Sequence, residues 1–282
     1  MNRLRGKRRS QRTAVVVAGV ATAIAAGTGG TLAVLSADGS APTPTPTVAA
    51  PVARTVPAPV VPATARAPKP DSRSTVVAAP RGVAIFDAPG GHPRLTLPGR
   101  TQLGATQTLL TAGARTVGTR TVGTRTVGTQ GDWWQVLLPV RPNGATGWVR
   151  KADVQASTIT TRIEINLGAH RLTFVRDGAV VARYPVAVGT RRTPTPVGRF
   201  FVNENPATGN PSGAYGPYAL GLSGHSDVLQ QFGSGDGVLG IHGTNEPSSI
   251  GTDASHGCVR LRNADITALY RATPLGTPVV VT

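Results

Sequence analysis

Ten of the chain's 24 prolines fall between residues 38 and 80, in a run (APTPTPTVAAPVARTVPAPVVPATARAPKP) made mainly of Pro, Ala, Thr and Val. Proline fixes φ and donates no backbone hydrogen bond, so neither a helix interior nor a central strand passes through such a run. Large side chains are too few there to make a core. Residues 36–80 are therefore expected to form an extended, polyproline-like linker, on the order of 100 Å long at ~3.1 Å per residue. The linker sets a short N-terminal stretch apart from roughly 200 residues that can fold, enough for one or two domains.

The N-terminal stretch has two parts. Residues 1–12 carry six basic side chains (Arg3, Arg5, Lys7, Arg8, Arg9, Arg12) and no acid, against a net charge of +16 for the whole chain. Residues 13–35 hold no charge at all and, as a helix, would cross a ~30 Å hydrocarbon layer. A basic tip stays on the cytoplasmic side, so everything after residue 35 is expected outside, in the cell wall or on the outer face of the membrane. Both a membrane anchor and a cleaved signal peptide fit the pattern, and the length of the apolar run favours the anchor. Nucleic-acid binding fits poorly despite a pI near 11.6, because the densest basic cluster belongs to this export segment; wall polyanions are nearer partners.

Residues 81–155 show short β-type runs divided by turn chemistry: VAIF (83–86), Pro89-Gly90-Gly91, WWQVLL (133–138), Pro142-Asn143-Gly144 and GWV (147–149). A small β-barrel-like domain is expected. It is interrupted by three tandem copies of RTVGT (115–129), read as an exposed repeat whose Arg115, Arg120 and Arg125 are solvated. The segment GDWWQVLLPVRPNGATGWVRKADV resembles the end of bacterial SH3-like domains of cell-wall enzymes, with Trp133, Trp134 and Trp148 as core and groove aromatics.

From residue 159 to 282 the pattern is again β. RIEINL (162–167) and RLTFV (171–175) lead to Asp177-Gly178 and then AVVARYPVAV (179–188), and Asp-Gly between β-branched runs is a strong hairpin signal. RFFV (199–202) follows as a further strand, and only NADITALYRA (263–272) reads as a helix, with Asn263 as its N-cap and Ile266, Leu269 and Tyr270 on one face.

The reactive residues gather in VLGIHGTNEPSSIGTDASHGCVRLRNADI (238–266), which holds the only Cys and two of the five His. One cysteine makes no intramolecular disulfide and no multi-cysteine metal site. His242 ends an apolar run, and Cys258 follows sixteen residues later across a polar, turn-rich loop. A thiol needs a base within reach to become a nucleophile, and Gly257 permits a turn that would free the Gly257 and Cys258 amides for an oxyanion. On that basis Cys258 is expected to titrate below the ~8.5 of a free thiol. Two other arrangements compete. One is an inert buried thiol; the other is a zinc site of His242, His256 and Cys258, with Glu246 or Asp253 as base. His225 reads either as a substrate-loop residue or as an exposed histidine, while His92 and His170 sit in turn-like contexts.

IHGTNEP followed by SHGCVRLRNADI resembles the signature of the L,D-transpeptidase (YkuD-type) catalytic domain. RLTFVRDGAVVARYPVAVGT, TPTPVGRF and GPYALGLSGHS are similar to the same family in the same order, so the resemblance spans nearly all of 162–282. Together with the SH3-like resemblance of the preceding region it implies a mainly β chain: an SH3-like barrel, then a β-sandwich-like catalytic domain acting on peptidoglycan stem peptides through a cysteine acyl-enzyme. It implies Cys258 as nucleophile, His242 as base, a Gly243 carbonyl orienting that base, and supporting roles for His256 and Gly257. Ser255, Arg260, Tyr218 and His225 are implied as substrate contacts. No cofactor is implied, and carbapenem β-lactams are the implied covalent inhibitors.

Overall fold

A computed structural model describes residues 72–113, 129–231 and 235–282. The basic tip, the apolar run, the linker as far as residue 71 and all three arginines of the RTVGT repeat lie outside the described residues.

The first region holds β1 (Ser74–Ala78), β2 (Val83–Phe86), β3 (Pro93–Leu97), β4 (Thr108–Leu110), β5 (Thr129–Gln130), β6 (Trp133–Leu137), β7 (Thr146–Arg150) and β8 (Gln155–Ile159). They form two sheets, ordered β4-β1-β8 and β3-β2-β7-β6-β5. Strand β1 corrects the expected linker, which was drawn to residue 80. Its centre, Thr75-Val76-Val77, is β-branched, and Val76 and Val77 are both buried between β4 and β8. Trp133 packs edge-on to Phe86 at 4.9 Å, with the Arg150 guanidinium over both rings, and the Lys151 ammonium sits 5.1 Å from the Trp134 ring.

The second region continues with β9 (Thr161–Asn166), β10 (Arg171–Arg176), β11 (Ala179–Pro185), β12 (Val188–Gly189), β13 (Gly198–Glu204), β14 (Ala219–His225), β15 (Val238–His242), β16 (Asp253–Ser255), β17 (Val259–Arg260), α1 (Asn263–Ala272) and β18 (Pro278–Val281). Eight of these strands make one sheet in the order β11-β10-β9-β18-β13-β14-β15-β17, and β12 pairs with β16 beside it. Most neighbours are antiparallel; β9 with β18, β15 with β17 and β12 with β16 are parallel. Asp177 and Gly178 both have positive φ (52° and 75°), as the tight β10–β11 hairpin turn requires.

The core of this region includes Ile163, Ile165, Leu172, Phe174, Phe200, Leu220, Ile241 and Leu261, joined by Ile266 and Leu269 of α1. Each such side chain contributes about 1.5–3 kcal/mol by leaving water. Helix α1 covers the expected residues, but its cap differs. Arg262 occupies the N-cap without a side-chain bond. Asn263 is the first helical residue instead; its Oδ1 accepts from the Thr244 amide (2.9 Å) and its Nδ2 donates to the Pro211 carbonyl (3.1 Å). The two regions belong to one compact unit. Phe201 of β13, fully buried, packs into the core of the first region.

Candidate active site

Strands β15 and β17 run parallel with Ile241 beside Val259 and His242 beside Arg260. One step back along the same register, Gly240 lies beside Cys258. Because side chains alternate across a strand, Ile241 and Val259 turn into the core, while Gly240, His242, Cys258 and Arg260 share the opposite face. A sixteen-residue separation in sequence thus becomes adjacency across one strand pair. Cys258 Sγ and His242 Cδ2 each lie 3.9 Å from where a Cβ on Gly240 would stand, so the missing side chain leaves the ground between thiol and imidazole open.

His242 is buried, and its Nδ1 lies 2.6 Å from the Gly243 carbonyl oxygen. A carbonyl only accepts, so Nδ1 carries the proton and Nε2 keeps its lone pair. Burial lowers the imidazole pKa to about 4, the Gly243 bond opposes this, and the nearby Arg260 charge lowers it further. Cys258 retains partial exposure, yet enough protein surrounds its thiol for burial to raise its pKa, with the Gly240 amide and Arg260 pulling the other way. The resting pair is therefore neutral thiol and neutral imidazole, which reverses the expected downward shift of the thiol. The cause is desolvation of the thiolate, which outweighs the nearby cation.

The turn before Cys258 is held by side chains that sequence alone did not place. Gly257 has φ +120°, a region where a β-carbon is strained. Its N–H donates to Ser255 Oγ (3.1 Å), and Ser255 Oγ in turn donates to the Cys258 carbonyl (2.5 Å). The Gly257 amide is thus occupied rather than free for an oxyanion. Thr195 Oγ1 donates to the Gly257 carbonyl and accepts from the Gly189 amide, both at 2.8 Å, fastening the turn to β12.

The profile of the L,D-transpeptidase catalytic domain (YkuD) matches residues 160–281. The YkuD protein of Bacillus subtilis (strain 168), named as an L,D-transpeptidase, is 39% identical over 124 residues, covering 44% of this chain and 67% of that protein. The chain belongs to the YkuD family of L,D-transpeptidases. Its namesake in Bacillus licheniformis is 41% identical over 126 residues, with 44% and 67% of the two chains covered. Among solved structures, an L,D-transpeptidase from Mycobacterium tuberculosis H37Rv aligns at 21% identity over 51% of this chain and 74% of its own, with a TM-score of 0.37. The L,D-transpeptidase LdtMt1 in complex with imipenem aligns at 18% identity over 51% and 76%, with a TM-score of 0.36.

Within this candidate site the structure gathers Cys258, His242, Gly243, Gly257 and Arg260. Arg260 Nη1 bonds Glu246 Oε2 at 2.9 Å, while its buried Nε has no hydrogen-bond partner among the described residues. His256 is exposed beside them. Ser255 is buried and engaged within the turn, so its hydroxyl shapes the loop rather than meeting substrate. Tyr218 stacks on Tyr270 at 4.2 Å. His225 is neither exposed nor in the site: it is buried at the far end of β14, 3.3 Å from Asp236. Among the described residues no group of three His, Cys, Asp or Glu is placed to hold a metal, the His242–His256–Cys258 trio included.

Tyr215 went unnoticed in the sequence. Its ring lies 4.6 Å from that of His242, tilted by 51°, and it is 45% exposed, so it forms part of the wall over that imidazole. Gly216 and Gly243 approach so closely that a β-carbon on either would stand 3.0 Å or less from the other's backbone. The AYGP segment was a signal for that approach, legible only once Gly243 was known to face it.

Proposed function

We propose that the protein is a peptidoglycan L,D-transpeptidase that forms 3→3 cross-links through a thioester on Cys258. The observation that carries this reading is the Nδ1–Gly243 bond, which leaves Nε2 of a neutral His242 as acceptor on the face it shares with the thiol. Cys258 attacks the amide carbonyl after the third residue of a donor stem as its proton passes to His242 Nε2. Concerted transfer suits this pair, since neither ion is stable in the buried site on its own. Of the two amides considered for the oxyanion, that of Cys258 remains the candidate. The C–N bond then breaks, His242 returns the proton to the departing D-alanine amine, and the thioester is left. A side-chain amine of a second stem, losing its proton to the same imidazole, attacks the thioester and releases the thiol.

Water in place of the amine would make the enzyme a carboxypeptidase, and a protein lysine would make it an anchoring enzyme. Products from tetrapeptide stems tell these apart. The first region is proposed to be SH3-like, and the apolar run of residues 13–35 to deliver both regions to the wall side of the membrane. Protease added to spheroplasts should digest everything after residue 80; protection would overturn the export reading.

The decisive test is intact mass of the full chain with a carbapenem, whose strained carbonyl offers the thiol the same attack. One added drug mass is expected on the wild type and none on Cys258→Ser. An adduct on Cys258→Ser at the wild-type rate would move the nucleophile elsewhere.

A further inference from the structure

The Pro142-Asn143-Gly144 signal marked a turn and nothing more in the sequence. In the structure, this turn of the first region grips both ends of the segment that joins β14 to β15. The Asn143 side-chain amide pairs with His225 as a strand partner would: its Oδ1 accepts from the His225 N–H (2.8 Å) and its Nδ2 donates to the His225 carbonyl (2.7 Å). Its Nδ2 also lies 3.1 Å from Asp227 Oδ1. Arg141 donates to three carbonyls, Nη1 to Ser226 (2.7 Å) and Nη2 to Leu229 (3.0 Å) and Asp236 (2.8 Å). Ser226 closes the segment on itself, its N–H donating to the Gly237 carbonyl at 2.8 Å.

We propose that Arg141 and Asn143 are positioning residues of the catalytic centre, setting the register of the β14–β15 hairpin that carries His242. The hairpin needs such a device. Ala219 pairs with His242, Leu220 with Ile241 and Gly221 with Gly240, but the next pair is His225 with Val238. Three residues of β14, Leu222 to Gly224, therefore stand against Leu239 alone. Such a bulge does not set its own register, and a slip of one residue turns every side chain to the other face of a sheet. A slip of β15 would carry His242 off the face of Cys258 and draw Gly240, whose amide lies by the thiol, away with it. The clamp fixes the hairpin at the end remote from the chemistry. Its guanidinium does so with a planar fork of donors that an ammonium lacks.

The inference rests on the catalytic reading above, so its test includes a readout free of it. The full chain with Arg141→Ala and Asn143→Ala together is compared with wild type and with Arg94→Ala, which removes a neighbouring exposed cation outside the clamp. Two measurements are made: the pH dependence of Cys258 alkylation by iodoacetamide, and the limiting rate and half-saturation concentration of acylation by a carbapenem. A misplacement remote from the chemistry lowers rates by up to ~10²-fold. The limiting rate is expected to fall ~10-fold or more with a smaller change in half-saturation, and the alkylation profile to shift, while Arg94→Ala stays with the wild type. Arg141→Lys should fail to restore the rate. Should the double variant unfold, Asn143→Ala alone decides by the same readouts. Wild-type alkylation and limiting rate in a folded clamp variant would overturn the proposal. If the wild type itself is alkylated but never acylated, the transpeptidase reading fails while the alkylation profile still judges the clamp.

Discussion

The two ends of the β14–β15 hairpin each bury a histidine, and the two differ in what faces the ring. His242 gives its Nδ1 proton to the Gly243 carbonyl and has a cation, Arg260, nearby. His225 has a carboxylate, Asp236, at 3.3 Å, and its Nδ1 finds no hydrogen-bond partner among the described residues. Burial lowers both pKa values. At His225 Asp236 opposes the fall while Arg141 adds to it, whereas Arg260 drives His242 further down. Desolvation disfavours the charged form of both rings; the neighbours decide whether the ring lies beside a thiol or is packed into a joint.

The comparison breaks most visibly in rate. His242→Ala should slow acylation of Cys258 by ~10²–10⁴, the usual worth of general-base help. His225→Gln, at the other end, should cost less. Equal losses in single-turnover acylation would mean that His242 is not the base.

Acid stability comes next. The folded value of about 4 for His242 lies below the ordinary 6.5, so its stabilising contribution is present above pH 6.5 and is lost as pH falls toward 4. Protonation then forces a charge into a buried site, at a cost of about 3 kcal/mol over that window. Urea melts of His242→Gln between pH 7 and pH 4 should show a shallower acid loss than wild type. An unchanged slope would place the acid-sensitive group elsewhere.

Backbone strain at the Cys258 end is a smaller effect. Gly257→Ala should destabilise by about 1–3 kcal/mol, because φ +120° suits glycine alone. Space is not the obstacle, since the nearest atom to the new β-carbon would be 3.5 Å away. A melting temperature equal to wild type would show that the turn relaxes without cost. The smallest effect is expected at Tyr215→Leu, which loses an aromatic pairing of about 0.5–1.5 kcal/mol with His242. Its mark should be a modest change in half-saturation for the carbapenem, and a collapse of the limiting rate would make Tyr215 part of the chemistry.

Much of the fold was legible because its signals are local. VAIF, the Asp177-Gly178 hairpin and the helix over 263–272 needed only a short apolar run bounded by turns, a turn pair and a 3.6-residue period, and the structure places each where those signals stood. The site was legible in composition, with the one Cys and a His after an apolar run in a single window. Ser74–Ala78 was missed because a strand that borders a proline run looks like more of it until its partners β4 and β8 are known. Asn263 was assigned to its own helix by a local rule, while Thr244 and Pro211, distant in sequence, held its side chain.

The sequence by itself determined which chemistry is available: a lone thiol, a histidine on a strand end and a glycine before the thiol. Only the tertiary structure decided their electrical state and alignment. The thiol pKa rises because burial removes solvent from the thiolate, a quantity set by every chain segment packed around it rather than by Ser255-His256-Gly257. His242 faces Cys258 because β15 and β17 pair in parallel, and parallel neighbours are joined by long connections whose register no short window of sequence records.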